Sequence, residues 1–232
     1  MRASLLLLAA ALAGTASAQA AAPAAKKAAP ATRDWTRTVV ATPEGGFRMG
    51  NPAAPVKLVE YGSLTCSHCA DFNAAAKSGI AAQVRSGKLS FEFRTFVLNG
   101  VDVAATLLAH CAGPERFFSV TDALYRSQEQ WLGKAASFTD AQKAQIQAAP
   151  EAQRMARVAD LTGLTQLVAG QGVAPARGKQ CLADKAALQR VENIYRGGMG
   201  LGIAGTPTFL INGRKVNATD WAGLEPLLKA GG

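Results

Sequence analysis

The sequence predicts an α/β core interrupted by a block of helices, and three observations carry that expectation. First, an apolar stretch at residues 56–61 is followed by a helix-like stretch and then by the strictly alternating run 89–96, the pattern of strand, helix and strand. Second, from about 101 to 199 the apolar residues recur at helical spacing. Third, the period returns to two at Thr208-Phe209-Leu210-Ile211, directly before Asn212-Gly213, the strongest short hairpin signal.

Taken in order, Trp35 to Met49 contains Thr38-Val39-Val40-Ala41 and a second short stretch after Gly45-Gly46, which reads as a strand or hairpin leading in. Asn51-Pro52 and Ala54-Pro55 then break the chain. In the strand 56–61, Val56, Leu58 and Glu60 share one face because side chains alternate along a strand. A helix opens at Cys66 and reaches about Arg85, where Ser86-Gly87 closes it, with Gly79 a candidate kink. The alternation of 89–96 marks a strand with one polar face. A helix joining two such strands implies a parallel pair and a right-handed crossover.

In the helical block, Ala104, Leu107, Leu108 and Cys111 fall on one helix face, and Phe117, Val120, Thr121, Leu124 and Tyr125 on another. Met155, Val158 and Leu161 repeat the spacing, as do Leu188, Val191 and Ile194. Gly113-Pro114, Ala149-Pro150 and Ala174-Pro175 mark breaks between helices. His110 is expected on a helix surface. After the hairpin a return strand is expected around 214–216, and Asp220 is placed to cap a last helix carrying Trp221, Leu224, Leu227 and Leu228. There is no internal repeat.

The N-terminal residues set the expected compartment. Arg2 gives a positive start, Leu5 to Ala13 is an apolar run, and Ala16-Ser17-Ala18 matches a small-x-small cleavage site, so residues 1–18 read as a signal peptide cleaved after Ala18. The apolar run is far below the roughly 20 residues that span a bilayer. Cleavage there leaves no cysteine at the new N-terminus, which argues against a lipid anchor. Residues 19–34, rich in Ala, Pro and Lys, bury too little surface to offset the entropy of ordering and read as a disordered tether. The folded domain is expected over 35–230. Net charge is +9, but the basic residues are scattered and lack interleaved aromatics, so no nucleic-acid partner is expected. Attraction to an acidic membrane surface stays open.

Four cysteines in an exported chain make an even set, which in an oxidising compartment means two disulfides. Cys66 and Cys69 form a close pair, leaving Cys111 and Cys181 to close about 70 residues, a loop worth roughly 4 kcal/mol by chain entropy. Structural zinc sites draw on two short-spaced pairs, and only one is present, so no metal is expected. Cys66-Ser67-His68-Cys69, at a strand-helix junction, is chemically the most informative segment. A helix N-terminus stabilises a thiolate, and His68 between the cysteines adds a donor or a charge. A stabilised thiolate stabilises the reduced protein and so makes its disulfide a stronger oxidant. Cys66 is expected to be the attacking sulfur and Cys69, a turn deeper, its buried partner.

Glu60, Cys66-Ser67-His68-Cys69, the helical insertion and Thr206-Pro207-Thr208-Phe209 together resemble the DsbA-like branch of the thioredoxin superfamily, exported bacterial thiol-disulfide oxidoreductases. The resemblance covers nearly all of the chain after the tether. It implies a thioredoxin fold with an inserted α-helical subdomain over 98–200, Cys66 as nucleophile, Cys69 as its partner, His68 as thiolate stabiliser and Pro207 as a cis-proline facing the disulfide. It also implies a buried acid at Glu60, which spacing alone leaves equally open to a solvent-facing strand end. Thr206 is a candidate to offer its hydroxyl to substrate or to Cys66. The chain departs from the family in Ser67, where typical oxidases carry Pro, and in Asn73, where some members are acidic; both bear on redox potential.

The function so implied is a periplasmic oxidase, without cofactor, that donates its disulfide to reduced or misoxidised exported proteins and is reoxidised by a quinone-linked membrane partner. A monomer is expected. Dedicated isomerases of the superfamily carry an N-terminal dimerisation module, and the short tether before Trp35 leaves no room for one, which counts against an isomerase. The alternatives are a reductase or isomerase on the same fold, a Cu(I)-handling protein using the reduced pair, and a binding module for which the disulfide is only a staple.

Overall fold

The computed structural model describes residues 33–231. The expected signal peptide, and the tether as far as residue 32, lie outside the described residues. A short 3-10 helix, Trp35–Arg37, follows Asp34, whose carboxylate accepts from the Thr36 N–H at 3.0 Å. The sheet then assembles from β1 (Val39–Ala41), β2 (Phe47–Gly50), β3 (Val56–Gly62), β4 (Leu89–Thr95), β5 (Thr208–Ile211) and β6 (Arg214–Val216), in the order β1-β2-β4-β3-β5-β6. β3 and β4 run parallel through the centre, and the other pairs are antiparallel.

The parallel pair is joined by α1 (Ser67–Arg85), which buries Cys69, Phe72, Ala76, Ile80 and Val84 at helical spacing. These side chains cluster with Leu58, Phe91 and Phe209 from the sheet. Val84, Leu58 and Phe209 are wholly enclosed, and burial of each such side chain contributes about 1.5–3 kcal/mol. Gly79 does not kink α1, which is continuous. Its missing side chain makes room for Trp221, because a Cβ there would lie 2.4 Å from the indole.

The strand at 89–96 also differs from its expected half-polar character. β4 has strands on both sides and is closed in on both faces, so Ser90 and Glu92 are buried too. Glu92 is satisfied there by the Thr42 hydroxyl and by Arg94 Nε, each at 2.7 Å. Burial without such partners would cost far more than the alternation pattern alone registers.

Between β4 and β5 the chain forms α2 (Gly100–Cys111), α3 (Pro114–Arg126), α4 (Gln128–Ala136), α5 (Asp140–Ala148), α6 (Glu151–Thr162), α7 (Leu164–Ala169), α8 (Pro175–Ala183) and α9 (Lys185–Gly200). α2 is not amphipathic as its spacing implies. It is buried continuously from Ala104 to Ala109 because α3, α6, α8 and α9 surround it. A disulfide joins Cys111 on α2 to Cys181 on α8, 70 residues apart.

His110 is not a free surface residue. Its ring stands edge-on to Phe47 and Phe117, with centroids at 5.2 and 5.6 Å, and its Nε2 is 3.0 Å from the Thr95 hydroxyl. It docks the end of α2 onto the sheet. In the β5–β6 turn Asn212 and Gly213 have φ of 50° and 80°, the left-handed pair that a two-residue hairpin demands. Asp220 then caps α10 (Trp221–Ala230) by accepting from the Gly223 N–H at 2.8 Å.

Candidate active site

β3 ends at Gly62, a short turn follows, and Cys66 occupies the N-cap of α1 in extended conformation. Side-chain alternation along β3 sends Glu60 to the face covered by α1, with Phe93 and Phe209 as its cross-strand neighbours. The strand and the helix thus bring Glu60, Cys66 and Cys69 together from the two ends of one turn.

The two thiols have opposite environments. Cys66 lies at the surface edge, 9% exposed, with its Sγ 3.3 Å from the Thr206 carbonyl. Hydrogen bonding from the Cys69 thiol brings its pKa down to about 5, against desolvation; the Thr206 side chain and the backbone N–H groups of Cys69 and His68 act in the same direction. These are the unpaired donors of a helix start, so the anion sits where the fold already supplies positive dipoles. Cys69 has no exposure at all. The hydrogen bond it gives Cys66 raises its own pKa far above the usual thiol range, and burial and the neighbouring Glu60 charge add to this. One turn of helix therefore separates a thiol that ionises readily from one that holds its proton.

Glu60 is 3% exposed, and its Oε1 has no hydrogen-bond partner among the described residues. Burial first, and then the Cys66 charge, pushes its pKa up to about 8. It is a protonated acid at neutral pH, close enough to both thiols for each to feel its charge.

His68 is exposed, and it is its backbone N–H that serves Cys66. The Thr206–Pro207 bond is cis, and Pro207 leads directly into β5. A cleft of about 450 Å³ lies between His68, Phe72, Thr206, Pro207 and Trp221, and reaches Thr206, whose carbonyl meets the Cys66 sulfur. Cys111 and Cys181 belong to the insertion and take no part in this constellation. Among the described residues no three His, Cys, Asp or Glu side chains converge on a metal-sized point.

Sequence reasoning missed the residues that hold the turn. Asp102, wholly buried at the start of α2, accepts from the Ser63 hydroxyl at 2.6 Å, the Leu64 N–H at 3.0 Å and the Leu98 N–H at 2.9 Å. Burial pushes its pKa up to about 6, against the pull of these donors. Asn99 caps the same helix and donates to the Thr65 hydroxyl at 3.0 Å. The legible signal was Asn99 followed three residues later by Asp102 at the head of an apolar run, a helix-start pattern.

A thioredoxin family model matches residues 42–230. The crystal structure of a protein-disulfide isomerase from Novosphingobium aromaticivorans is 32% identical and superposes with a TM-score of 0.74, covering 79% of this chain and 95% of that one. Wolbachia pipientis alpha-DsbA1, at 23% identity and a TM-score of 0.64 over 82% of this chain and 92% of that one, shares the fold. A Rickettsia typhi protein with the provisional name protein-disulfide oxidoreductase is 26% identical over 168 residues, 71% of this chain and 54% of its own length. The chain thus spans little more than half of the curated relatives it matches. It belongs to the thioredoxin family and carries the DsbA-like form of the thioredoxin fold, with an α-helical insertion.

Proposed function

We propose that the protein is an exported thiol-disulfide oxidoreductase that works chiefly as an oxidase, passing the Cys66–Cys69 disulfide to reduced or misoxidised proteins of the periplasm. The observation that carries this reading is the asymmetry of the two thiols, one brought down to about 5 and the other held protonated. A substrate thiolate attacks Cys66 Sγ, the Cys66–Cys69 bond breaks, and Cys69 leaves with the electron pair and takes up a proton. Glu60, protonated at neutral pH, is assigned to supply it. A second substrate thiolate then attacks the substrate sulfur of the mixed disulfide, and Cys66 departs as the stabilised thiolate. Two substrate thiols become one disulfide and the enzyme is left as a dithiol. Thr206 and Pro207, at the cleft beside Cys66, are assigned to the substrate backbone. Reoxidation falls to a membrane redox partner that accepts the two electrons.

The test is whether the oxidised protein converts a dithiol peptide to its disulfide stoichiometrically, and whether Cys66→Ser abolishes the conversion. An unreactive Cys66–Cys69 disulfide would sink the reading. A second reading, isomerisation, is favoured by the likeness to the Novosphingobium protein named an isomerase. It predicts that the reduced protein reactivates a substrate with scrambled disulfides and that Cys69→Ser retains part of that activity.

A further inference from the structure

The nucleophile stands on a turn whose backbone polar groups are held from the helical insertion. Tyr125 at the end of α3 donates its hydroxyl to the Ser63 carbonyl at 3.1 Å, and Asp102 accepts from the Leu64 N–H. Gln128, at the start of α4, is 5% exposed and spends its side-chain Nε2 on two carbonyls of this turn, Leu64 at 2.8 Å and Cys66 at 3.0 Å. These carbonyls lie on either side of the Cys66 N–Cα bond, so one amide fixes the backbone before and after the reactive residue.

Gln128 is itself fixed. Trp131, further along α4 and 2% exposed, donates its indole N–H to the Leu124 carbonyl at 2.9 Å and locks the corner between α3 and α4. The Cys66 carbonyl also accepts from the Ala70 N–H, the first hydrogen bond of α1. Holding that carbonyl therefore orients the helix start whose N–H groups face the sulfur.

We propose that Gln128 is a positioning residue for Cys66, through which the helical insertion sets the stability of the nucleophilic thiolate. It touches neither substrate nor sulfur and acts through the carbonyl of Leu64, two residues before the nucleophile, and the carbonyl of Cys66 itself. Without the amide, two buried carbonyls lose a donor and the turn relaxes, so the N–H groups of His68 and Cys69 are less well aimed at the thiolate. The inference rests on the oxidoreductase reading, since it concerns the thiol that reading makes the nucleophile.

The test compares Gln128→Leu, which keeps the bulk and removes both donors, with Gln128→Glu, which when protonated keeps one. Three quantities are read: the Cys66 pKa from thiolate absorbance, the equilibrium constant against glutathione, and the melting temperature. Loss of the donors is expected to raise the Cys66 pKa by about one unit and to shift the glutathione equilibrium about tenfold towards the protein disulfide, with Gln128→Glu between wild type and Gln128→Leu. A Gln128→Leu protein that melts lower but keeps the wild-type pKa and equilibrium overturns the proposal and makes Gln128 merely structural. If Gln128→Leu does not fold, Gln128→Glu decides alone on the same two readouts: shifts in the stated direction support the proposal and wild-type values overturn it. A wild-type protein that does not exchange with glutathione at all fails the oxidoreductase reading instead, which separates the two claims.

Discussion

The two sulfur pairs of this protein are built on opposite principles. Cys66 and Cys69 lie three residues apart at the head of α1, where closing the bond constrains almost no chain and the dithiol is favoured by the hydrogen bond from Cys69 to Cys66 and by helix N–H groups. Cys111 and Cys181 lie 70 residues apart on α2 and α8, where closing the bond ties two helices together and constrains a long loop. Whether a disulfide is a reagent or a staple is thus set by loop length and by what the thiolate would meet, not by the cysteines themselves.

The largest expected effect breaks the first pair. Cys66→Ser removes the attacked sulfur and should abolish dithiol-peptide oxidation while leaving the melting temperature of the protein within a few degrees of wild type. Retained turnover would move the chemistry elsewhere. Replacing both Cys111 and Cys181 by Ser should do the reverse: a loss of about 4 kcal/mol in chemical denaturation, with the Cys66–Cys69 glutathione equilibrium changed less than threefold. Equal damage to both quantities would mean that the two pairs are not independent.

A third prediction sharpens the comparison through pH. Glu60 has a folded pKa of about 8, above its ordinary 4.5, so the folded chain keeps a proton the unfolded chain has lost and stability falls as pH rises through that window. Cys66 has a folded value of about 5, below its ordinary 9.0, so its contribution grows as pH rises between those values and is lost as pH falls through about 5. In the dithiol protein the two slopes oppose each other between about pH 5 and 8. Glu60→Gln removes one of them. The reduced variant should then gain stability with rising pH, by up to about 1.4 kcal/mol per unit, in urea titrations under reducing conditions. A profile as flat as that of wild type would contradict the coupling.

The smallest effect belongs to the insertion side. His110 is half-buried as a residue, but its ring is enclosed beside Phe47 and Phe117, and burial together with the Arg190 charge brings its pKa down to about 4. The folded chain thus resists a proton that the unfolded chain accepts below about 6.5, and stability declines as pH falls from there towards 4. His110→Gln should shallow this acid limb without altering the redox equilibrium. An acid limb identical to wild type would remove His110 from the account.

What the sequence made legible was what neighbouring residues decide. Cys66 at the head of a helix, the parallel strand pair, the Asn212-Gly213 turn and the Asp220 cap all follow from chemistry within a few residues. What it hid depends on where distant segments land. Gly79 reads as a kink until Trp221 is placed against it, and the polar side of β4 reads as exposed until β2 pairs beside it and Thr42 meets Glu92. His110 reads as surface until Phe47 and Thr95 meet it. The clamp on the 63–66 turn was illegible for the same reason: Asp102, Tyr125 and Gln128 reach it across some 40 to 60 residues, and a Gln at a helix start carries no pattern of its own.

The central claim, that Cys66–Cys69 is a reagent and Cys111–Cys181 a staple, is tested most directly by equilibrating the protein with glutathione buffers and trapping thiols by alkylation for mass spectrometry, pair by pair. The account predicts that Cys66–Cys69 titrates near about −120 to −180 mV while Cys111–Cys181 remains a disulfide throughout. A Cys66–Cys69 potential near about −270 mV, the range of a reductant, or a Cys111–Cys181 pair that opens at the same potential, would contradict it.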